Sequence, residues 1–248
     1  GAATVIASDK TGTITRNQMT ITSAFFEGVN YRITGQGYNP AGEIFDEGGQ
    51  VMSPHTLGER KILFLAGFLS STGTVNPPDD FHQDYYALGD PTEAAFATLL
   101  MKAGFDAAAV TAEYPRQRLF AFDSERKRIS IVREHNGRRI SFVKGSIESL
   151  LPLCSRQRLR GTEQELTGRE RDELLAVSRA YSAQSLRVIA LAYRDMEEGE
   201  DISQQTAERD LVFSGFVTMV DPPRAEVKEA MKAAHSAGIR TVMITGDH

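Results

Sequence analysis

The sequence predicts an α/β chain in which the two ends form part of a parallel sheet and a long insertion between them forms an α+β unit on an antiparallel sheet. Residues 4–7 are a short apolar run that leads into Asp9, a pattern typical of a buried parallel strand before a functional turn. Near the other end, residues 212–220, 225–237 and 239–244 have the patterns of a strand, a helix and a strand. Because such a crossover is right-handed, we expect these two strands to be parallel.

The insertion, residues 18–220, is predicted to pack helices against an antiparallel sheet. Its predicted helices are residues 59–69, 91–103 and 169–185. Its predicted strands are residues 116–122, 127–134, 138–143 and 186–193. The pair Asn136 and Gly137 separates two of these strands and is a typical sequence for a tight hairpin turn.

The composition is that of a globular protein and argues against some classes of function. The chain has 28 basic and 33 acidic residues, a net charge of -5 that argues against a nucleic-acid partner. Its single cysteine, Cys154, has no second cysteine for a disulfide or a zinc site, so we expect a reducing compartment. The longest apolar run, residues 62–69, is about half as long as a membrane-spanning helix, and the first residues have no signal pattern. We therefore expect a monomeric chain outside the membrane.

Polar residues follow the predicted strands at both ends of the chain. Asp9 comes after the first strand, and Thr245, Gly246 and Asp247 come after the last one. Open parallel sheets bind ligands outside the carboxyl ends of their strands. We therefore expect these residues to converge on one site although they are far apart in sequence.

The most specific motif runs from Ser8 to Thr15 and places Asp9, Lys10 and Thr11 before a Gly-Thr turn. An aspartate at a strand end can present its carboxylate as a nucleophile, while turn amides and hydroxyls contact a phosphate. By composition alone, the same string fits an ordinary polar turn. Its core, Asp-Lys-Thr-Gly-Thr, resembles the phosphorylation motif of P-type ATPases, a family within the haloacid-dehalogenase-like superfamily.

This resemblance implies a role for three residues of the motif. Asp9 would accept the γ-phosphoryl group of ATP, Lys10 would help to balance the charge, and Asp9 and the Thr11 carbonyl would bind Mg²⁺. Related phosphatases usually have a second aspartate two residues after the nucleophile, as general acid and base, and here that position is Thr11. Because threonine cannot take the proton from an attacking water, we expect the aspartyl phosphate to persist, which suits an ion pump.

Two strings near the end of the chain are similar to motifs of the same family. The tail Met-Ile-Thr-Gly-Asp resembles the second phosphate-contacting motif, which implies that Thr245 and Gly246 hold the transferred phosphoryl group while Asp247 supports the site. The string from Asp221 to Arg224 resembles the hinge between two cytoplasmic domains, in which the Asp and the Arg can pair with neighbours. By local chemistry, it also fits a helix start with proline in the first turn, and the two interpretations are compatible.

The string from Gly89 to Glu93 also has two interpretations. Local chemistry predicts a helix start with Asp90 as N-cap, Pro91 at the first helical position and Glu93 at the third, closing a capping box. The string also resembles the Gly-Asp/Glu-x-Thr-Glu motif of the family's nucleotide-binding domain. That resemblance implies that Glu93 hydrogen-bonds the adenine side of ATP.

Three more strings in the insertion resemble nucleotide-binding motifs. Phe122 ends a strand before a run of cations, which suits stacking on adenine but equally fits a core phenylalanine, and Ser124 stands where calcium pumps have an arginine. Lys144 and Gly145 resemble the start of the family's Lys-Gly-Ala-Pro-Glu motif, here with Ser and Ile in place of Ala and Pro. In that motif, the glycine would let a ligand approach the backbone while the lysine reaches into the pocket. Arg187 resembles the arginine that bridges the nucleotide phosphates, or else is a snorkelling strand-edge arginine.

The resemblance spans the chain in family order and implies a partial Rossmann-like, haloacid-dehalogenase-like parallel sheet with an inserted nucleotide-binding domain. Residues 1–17 and 221–248 would belong to an incomplete phosphorylation domain, and residues 18–220 to the nucleotide-binding domain. The family pattern continues beyond His248, so we expect an inactive, ATP-binding cytoplasmic fragment of a cation pump. Its partners would be ATP, Mg²⁺, and the membrane helices and dephosphorylation domain of the same pump. Residues 35–42 are similar to a calcium-pump segment.

Two alternatives remain open. A haloacid-dehalogenase-like phosphatase with a large cap would release phosphate from small esters without ATP specificity, but Thr11 and the nucleotide-binding motifs argue against it. A regulatory nucleotide-binding module would bind ATP and would never be phosphorylated, even in the full-length protein.

Overall fold

The computed structural model describes residues 4–244 and contains one large, mainly antiparallel sheet together with two smaller sheets. The strands are β1 (Val5–Asp9), β2 (Thr20–Phe26), β3 (Val29–Ile33), β4 (Ile44–Phe45), β5 (Thr74–Asn76), β6 (Tyr86–Leu88), β7 (Arg116–Asp123), β8 (Arg128–His135), β9 (Arg138–Gly145), β10 (Cys154–Leu159), β11 (Thr162–Glu165), β12 (Arg187–Asp195), β13 (Leu211–Val220) and β14 (Arg240–Ile244). The helices are α1 (Pro54–Glu59), α2 (Lys61–Leu69), α3 (Pro91–Lys102), α4 (Ala107–Glu113), α5 (Ile147–Leu150), α6 (Gly168–Ser182), α7 (Gln204–Ala207) and α8 (Val227–Ser236).

The large sheet has the strand order β4-β3-β2-β13-β12-β9-β8-β7, with β10 added beside β13 and β11 beside β10. Adjacent residues of one strand face two different cores, since Phe142 packs with α2 and α3 whereas Val143 packs with α5 and α6. The predicted α+β unit on an antiparallel sheet is confirmed.

Local sequence signals place several of these elements. Asn136 and Gly137 both have positive φ angles, 51° and 75°, so the predicted tight turn between β8 and β9 is confirmed. The helix predicted for residues 59–69 is instead two helices that meet at Arg60. The first of them starts early because Ser53 accepts a hydrogen bond from the Thr56 amide as an N-cap.

Helix α3 lies in the core directly against α2. A Cβ atom on Gly67 of α2 would lie 2.4 Å from the ring of Phe96, so glycine is what allows the two helices to approach this closely. No single helix within residues 4–244 is long and apolar enough to cross a membrane, although α3 and α4, bent by 102°, pass that test as a pair.

The two ends of the described chain form a separate two-stranded sheet. Strands β1 and β14 are parallel, with Asp9 opposite Ile244. The expectation that residues 212–220 run parallel to this last strand in one sheet is wrong, because they form β13 of the large sheet, antiparallel to β2 and β12. The expectation of a buried first strand is wrong for the part of the chain that the structure describes, because Val5 and Ile6 are 52 % and 43 % exposed. Within residues 4–244, β14 is the one strand paired with β1, and two strands cannot cover their own apolar side chains.

The two chain segments that join this small sheet to the rest of the structure are tied to each other. The Asp221 carboxylate accepts hydrogen bonds from the Thr15 hydroxyl at 2.5 Å and from the Gln18 amide at 3.2 Å. Arg224 donates to the Gly12 carbonyl at 3.1 Å. The predicted pairing of the Asp and the Arg with neighbours is therefore confirmed. The helix-start interpretation is wrong, because α8 begins only at Val227, after the prolines.

Candidate functional site

The N-terminus of α3 has the predicted cap but not the predicted capping box. Asp90 accepts hydrogen bonds from the amides of Thr92 at 2.8 Å and Glu93 at 3.3 Å, so its role as N-cap is confirmed. The Glu93 side chain does not return to the cap. Its Oε2 instead accepts from the Thr72 amide at 2.7 Å, the Thr72 hydroxyl, and the Gly73 amide at 3.2 Å. Glu93 therefore holds the segment that follows α2 against α3.

Lys144, near the end of β9, contacts the other oxygen of the same carboxylate. Its ammonium donates to Glu93 Oε1 at 3.1 Å, to the Ser71 hydroxyl at 2.6 Å and to the Ser70 carbonyl at 3.0 Å. It also lies 5.2 Å from the centre of the Phe96 ring, a cation–π distance. Since an ammonium has three protons, each one has a partner here. The side chain is accordingly buried, with an exposed fraction of 5 %.

The two charges have pKa values set by burial and by each other. Burial lowers the pKa of Lys144 to about 8, with Glu93 opposing that shift. For Glu93, burial alone would raise the pKa, but Lys144 and Thr72 outweigh it, so the pKa lies below its usual value. The pair is therefore ionic at neutral pH.

Phe122 is 60 % exposed, so the interpretation of this residue as a core phenylalanine is wrong. It lies in a β-bulge of β7. Phe120 opposes Ser130 and Asp123 opposes Arg128, so β7 has one more residue than β8 between these two pairs. An extra residue of this kind changes the face of the sheet on which the following side chains lie.

The bulge brings Phe122 to the face of the sheet that carries Lys144. Phe120 packs on the opposite face, against Val132. On β8, Ile129 opposes Lys144 of β9, and the bulge sets Phe122 opposite that same Ile129. Neighbouring strands are about 4.8 Å apart, so the backbones that carry Phe122 and Lys144 are about 10 Å apart. An exposed aromatic ring and a buried cation thus lie on one face at one end of the sheet.

Gly145 is required for contact between strands, which differs from the expected approach of a ligand. A Cβ atom at this position would lie 2.5 Å from the Lys127 carbonyl oxygen and 2.6 Å from the Arg128 Cβ. The same carbonyl accepts a hydrogen bond from the Ser146 amide at 2.9 Å. Glycine therefore lets the turn between β7 and β8 close over the end of β9.

Arg187 lies at the start of β12, at the same end of the sheet as Gly145. Its guanidinium is exposed and donates to the Thr92 hydroxyl at 3.3 Å, in the first turn of α3. It therefore borders the α3 N-terminus without the close packing of Lys144. Its exposed nitrogens fit a contact with an anion in solution.

These side chains together fit a nucleotide. The exposed Phe122 ring offers a stacking surface for a base, and the partly buried Glu93 carboxylate offers an acceptor. Arg187 and Lys144 are positive charges of the kind that attract phosphates. The structure therefore brings Glu93, Lys144 and Gly145 together and sets Phe122 and Arg187 at their border.

Asp9 lies in the second predicted site, exposed at the end of β1. The following turn, Lys10–Ile14, bends at Gly12, whose φ of 79° favours glycine. Within residues 4–244 no group of three His, Cys, Asp or Glu side chains could hold a metal ion. The Asp9 carboxylate and the Thr11 carbonyl are oxygen ligands of the kind that Mg²⁺ prefers, so they fit part of a Mg²⁺ site.

The remaining predicted residues of this second site, Thr245, Gly246 and Asp247, lie outside the described residues. The last described residue, Ile244, is paired with Asp9. The sheet register therefore brings the end of β14 beside the candidate nucleophile.

Sequence reasoning missed the partners of Glu93 and Lys144. Ser70, Ser71 and Thr72 follow α2 in a segment that matches no motif, yet all three hydrogen-bond the pair. A run of small polar residues directly after an apolar helix is the only available signal, and it does not indicate which side chain they contact.

Comparisons with known proteins show which family the chain belongs to. Residues 61–226, more than half of the chain, match a family model described as "P-type ATPase, cytoplasmic domain N". Three relatives align with the whole chain: "Calcium-transporting ATPase" of Bacillus subtilis at 38 % identity, "Cation-transporting ATPase pma1" of Synechocystis sp. at 36 %, and "Calcium-transporting ATPase type 2C member 1" of Bos taurus at 33 %. The chain spans 28 %, 27 % and 24 % of their respective lengths. This chain therefore belongs to the P-type ATPase family, and residues 61–226 correspond to its cytoplasmic domain N.

Proposed function

We propose that this chain is the ATP-binding cytoplasmic part of a cation-transporting P-type ATPase, in which ATP phosphorylates Asp9 to drive ion translocation. The observation that supports it most strongly is the buried Glu93–Lys144 ion pair at 3.1 Å, at the sheet end where Phe122 and Arg187 are exposed. Burying a charge pair carries a desolvation cost, which good geometry and further hydrogen bonds offset here.

The nucleotide-binding residues divide the ligand between them. Phe122 stacks on the adenine ring, a contact worth about 1–3 kcal/mol for a base on an aromatic side chain. Glu93 Oε1 accepts one hydrogen bond, from Lys144, so it has room for a second from the adenine amino group. Arg187 contacts the phosphates.

Lys144 and Gly145 act mainly through position. Each proton of the Lys144 ammonium already has a protein acceptor, so Lys144 contributes positive charge beneath the ligand and keeps Glu93 ionised. Gly145 allows the turn between β7 and β8 to close beside it. The proposed site therefore combines the fixed polar pair Glu93 and Lys144 with the aromatic ring of Phe122.

Phosphoryl transfer takes place at Asp9. A carboxylate oxygen of Asp9 forms a bond to the γ-phosphorus, the bond to the β,γ-bridging oxygen breaks, and ADP leaves with that oxygen. Lys10 balances charge on the phosphoryl group. Mg²⁺, when bound by the Asp9 carboxylate and the Thr11 carbonyl, neutralises phosphate charge. Because Thr11 is no general base, the aspartyl phosphate persists.

The end of the chain contributes three further residues to this site in our proposal. Thr245 and Gly246 hold the transferred phosphoryl group, and Asp247 supports them. The parallel pairing of Asp9 with Ile244 supports a Rossmann-like, haloacid-dehalogenase-like sheet formed by residues 1–17 and 221–248. Residues 18–220 then form the nucleotide-binding domain.

The intact protein is proposed to be a membrane pump with this part on the cytoplasmic side. Its partners are ATP and the remaining parts of the same pump, namely the membrane helices and a dephosphorylation domain. Two of the relatives are named calcium-transporting ATPases, which favours Ca²⁺ as the cation. Uptake of labelled Ca²⁺ by vesicles that contain the full-length protein, lost in Asp9→Asn, tests that choice.

Phosphorylation itself is tested with γ-labelled ATP, an acid quench and hydroxylamine. We expect the full-length protein to form a hydroxylamine-sensitive phosphoenzyme that Asp9→Asn abolishes. We expect the 248-residue chain to bind ATP but not to form it, since Asp9 is exposed and Asp9 and Thr11 make up only part of a Mg²⁺ site. No labelling of the full-length protein would favour a regulatory module, and release of phosphate from small esters without ATP specificity would favour a phosphatase.

A further inference from the structure

A buried carboxylate lies on the other side of the sheet from the nucleotide pocket. Glu208 follows α7, and 3 % of its side chain is exposed. It accepts hydrogen bonds from the Arg128 guanidinium at 2.7 Å, from the Ser130 hydroxyl at 2.7 Å and from Arg126. A buried charge with three donors is firmly fixed in place.

One of these donors also holds the bulge beside Phe122. A second nitrogen of the Arg126 guanidinium donates to the carbonyl of Ala121 at 2.6 Å. Ala121 is the residue before Phe122, inside the segment where β7 has its extra residue. A single planar guanidinium thus joins Glu208 to the bulge, and its fork geometry makes both hydrogen bonds directional.

The turn that carries Arg126 is itself well ordered. The Asp123 carboxylate accepts from the amides of Glu125 and Arg126, each at 2.9 Å. The backbone of Arg126 is therefore fixed from one side and its side chain from the other. Without the bulge, Phe122 would follow Phe120 to the opposite face of the sheet, away from Lys144.

We propose that Glu208 is a positioning residue for adenine recognition: it fixes Arg126, which fixes the Ala121 carbonyl and so aims Phe122 into the pocket. This inference rests on the proposed function, in which Phe122 stacks on adenine. Within residues 4–244 the Glu208 carboxylate has its hydrogen bonds and ion pairs with Arg126, Arg128 and Ser130, so its effect on a nucleotide is transmitted through them.

The test measures the affinities of ATP and of inorganic tripolyphosphate for the same variants, because only ATP has a base to stack. Phe122→Ala should weaken ATP about tenfold or more and leave tripolyphosphate within about twofold. Glu208→Gln should weaken ATP about threefold to tenfold, also with tripolyphosphate unchanged. In the Phe122→Ala background, Glu208→Gln should cause no further loss, since both act on one contact.

Arg126→Met is the second variant, because it removes the donor to Ala121 while Arg128 and Ser130 still hold Glu208. Like Glu208→Gln, it should weaken ATP and leave tripolyphosphate unchanged. If Glu208→Gln does not fold, Arg126→Met alone tests the inference. Glu200→Gln is the matched control, since Glu200 is also a buried carboxylate held by two arginines, Arg194 and Arg209, away from this turn. Its ATP affinity should not change.

The inference is overturned if folded Glu208→Gln and Arg126→Met bind ATP normally, if they weaken ATP and tripolyphosphate equally, or if their losses add to that of Phe122→Ala. In each of these cases the proposed function still stands if Phe122→Ala weakens ATP and leaves tripolyphosphate unchanged, as expected. If Phe122→Ala itself binds ATP normally, adenine stacking by Phe122 is wrong, and the role of Glu208 is wrong with it.

Discussion

The Lys144 ammonium lies 3.1 Å from the Glu93 carboxylate and joins the end of β9 to the first turn of α3. The same two side chains also hold the segment after α2, through Ser71 and Thr72. Three elements that are distant in sequence therefore meet at one ion pair. Its charges determine how the site should respond to pH and to substitution.

ATP binding should weaken as the pH rises through about 8. Burial lowers the pKa of Lys144 to about 8, so the side chain is a cation below that pH and is neutral above it. Loss of this charge should weaken ATP about fivefold or more between about pH 7 and 9, since the attraction between two unit charges about 4 Å apart near a protein surface is worth roughly 1–4 kcal/mol. Calorimetric titration at several pH values measures this.

The control for this experiment is Lys144→Gln. It should bind ATP more weakly at about pH 7 and show a nearly flat profile, because the neutral amide of glutamine has no ionisable group. A flat profile in the unsubstituted protein, or the same slope in Lys144→Gln, would mean that Lys144 does not supply the charge.

Substitutions of the ion pair should be strongly coupled in stability. Glu93→Gln leaves a buried ammonium without its counter-ion, and Lys144→Met leaves Glu93 with Thr72 and Gly73 alone. Each single change should cost about 1–3 kcal/mol of unfolding free energy. The double variant should cost less than the sum by about 1 kcal/mol or more, measured by denaturant unfolding. Additive losses would contradict the ion pair.

Gly145→Ala should destabilise the fold through backbone crowding. The added Cβ would lie 2.5 Å from the Lys127 carbonyl, so the turn between β7 and β8 must move. We expect a loss of about 1–3 kcal/mol in unfolding free energy. Gly168→Ala is the matched control, because its Cβ would meet nothing within 4 Å. Equal stability of the two variants would show that the structure has room for a Cβ atom at residue 145.

Asp221→Asn should loosen the connection between the small parallel sheet and the rest of the structure. The charged carboxylate accepts from the Thr15 hydroxyl and the Gln18 amide. Its neutralisation should speed hydrogen exchange of the Gln18 amide about tenfold, equivalent to roughly 1.4 kcal/mol. Asp46→Asn, in an exposed turn where Asp46 accepts from the Gln50 amide, should leave Gln18 unchanged. Unchanged exchange of the Gln18 amide in Asp221→Asn would show that the Asp221 carboxylate does not hold these two segments together.

Local chemistry predicted local features of this structure well. The cap at Asp90 and the turn at Asn136 and Gly137 depend on a few neighbouring residues, and both are present. Helix α1, which ends before Arg60, was not predicted because its six residues contain one buried apolar side chain, Leu57, and so show no apolar periodicity.

Features that depend on distant parts of the chain were not predictable in the same way. The direction of Phe122 depends on an extra residue relative to β8, and register is decided by pairing rather than by local sequence. The burial of Glu208 depends on Arg126 and Arg128, about 80 residues earlier, and nothing in its own acidic segment indicates it. The family resemblance implied that Glu93 and Lys144 serve the same nucleotide site, but their direct contact was not predicted.

The central claim is that adenine nucleotides bind beside Phe122, Glu93 and Lys144. Titration of the isotope-labelled chain with ATP and, separately, with pyrophosphate tests it most directly by NMR. We predict that ATP shifts the amide resonances around these three residues far more than pyrophosphate does, because only ATP has a base. Equal shifts with both ligands, or shifts confined to Asp9 and its neighbours, would contradict the account.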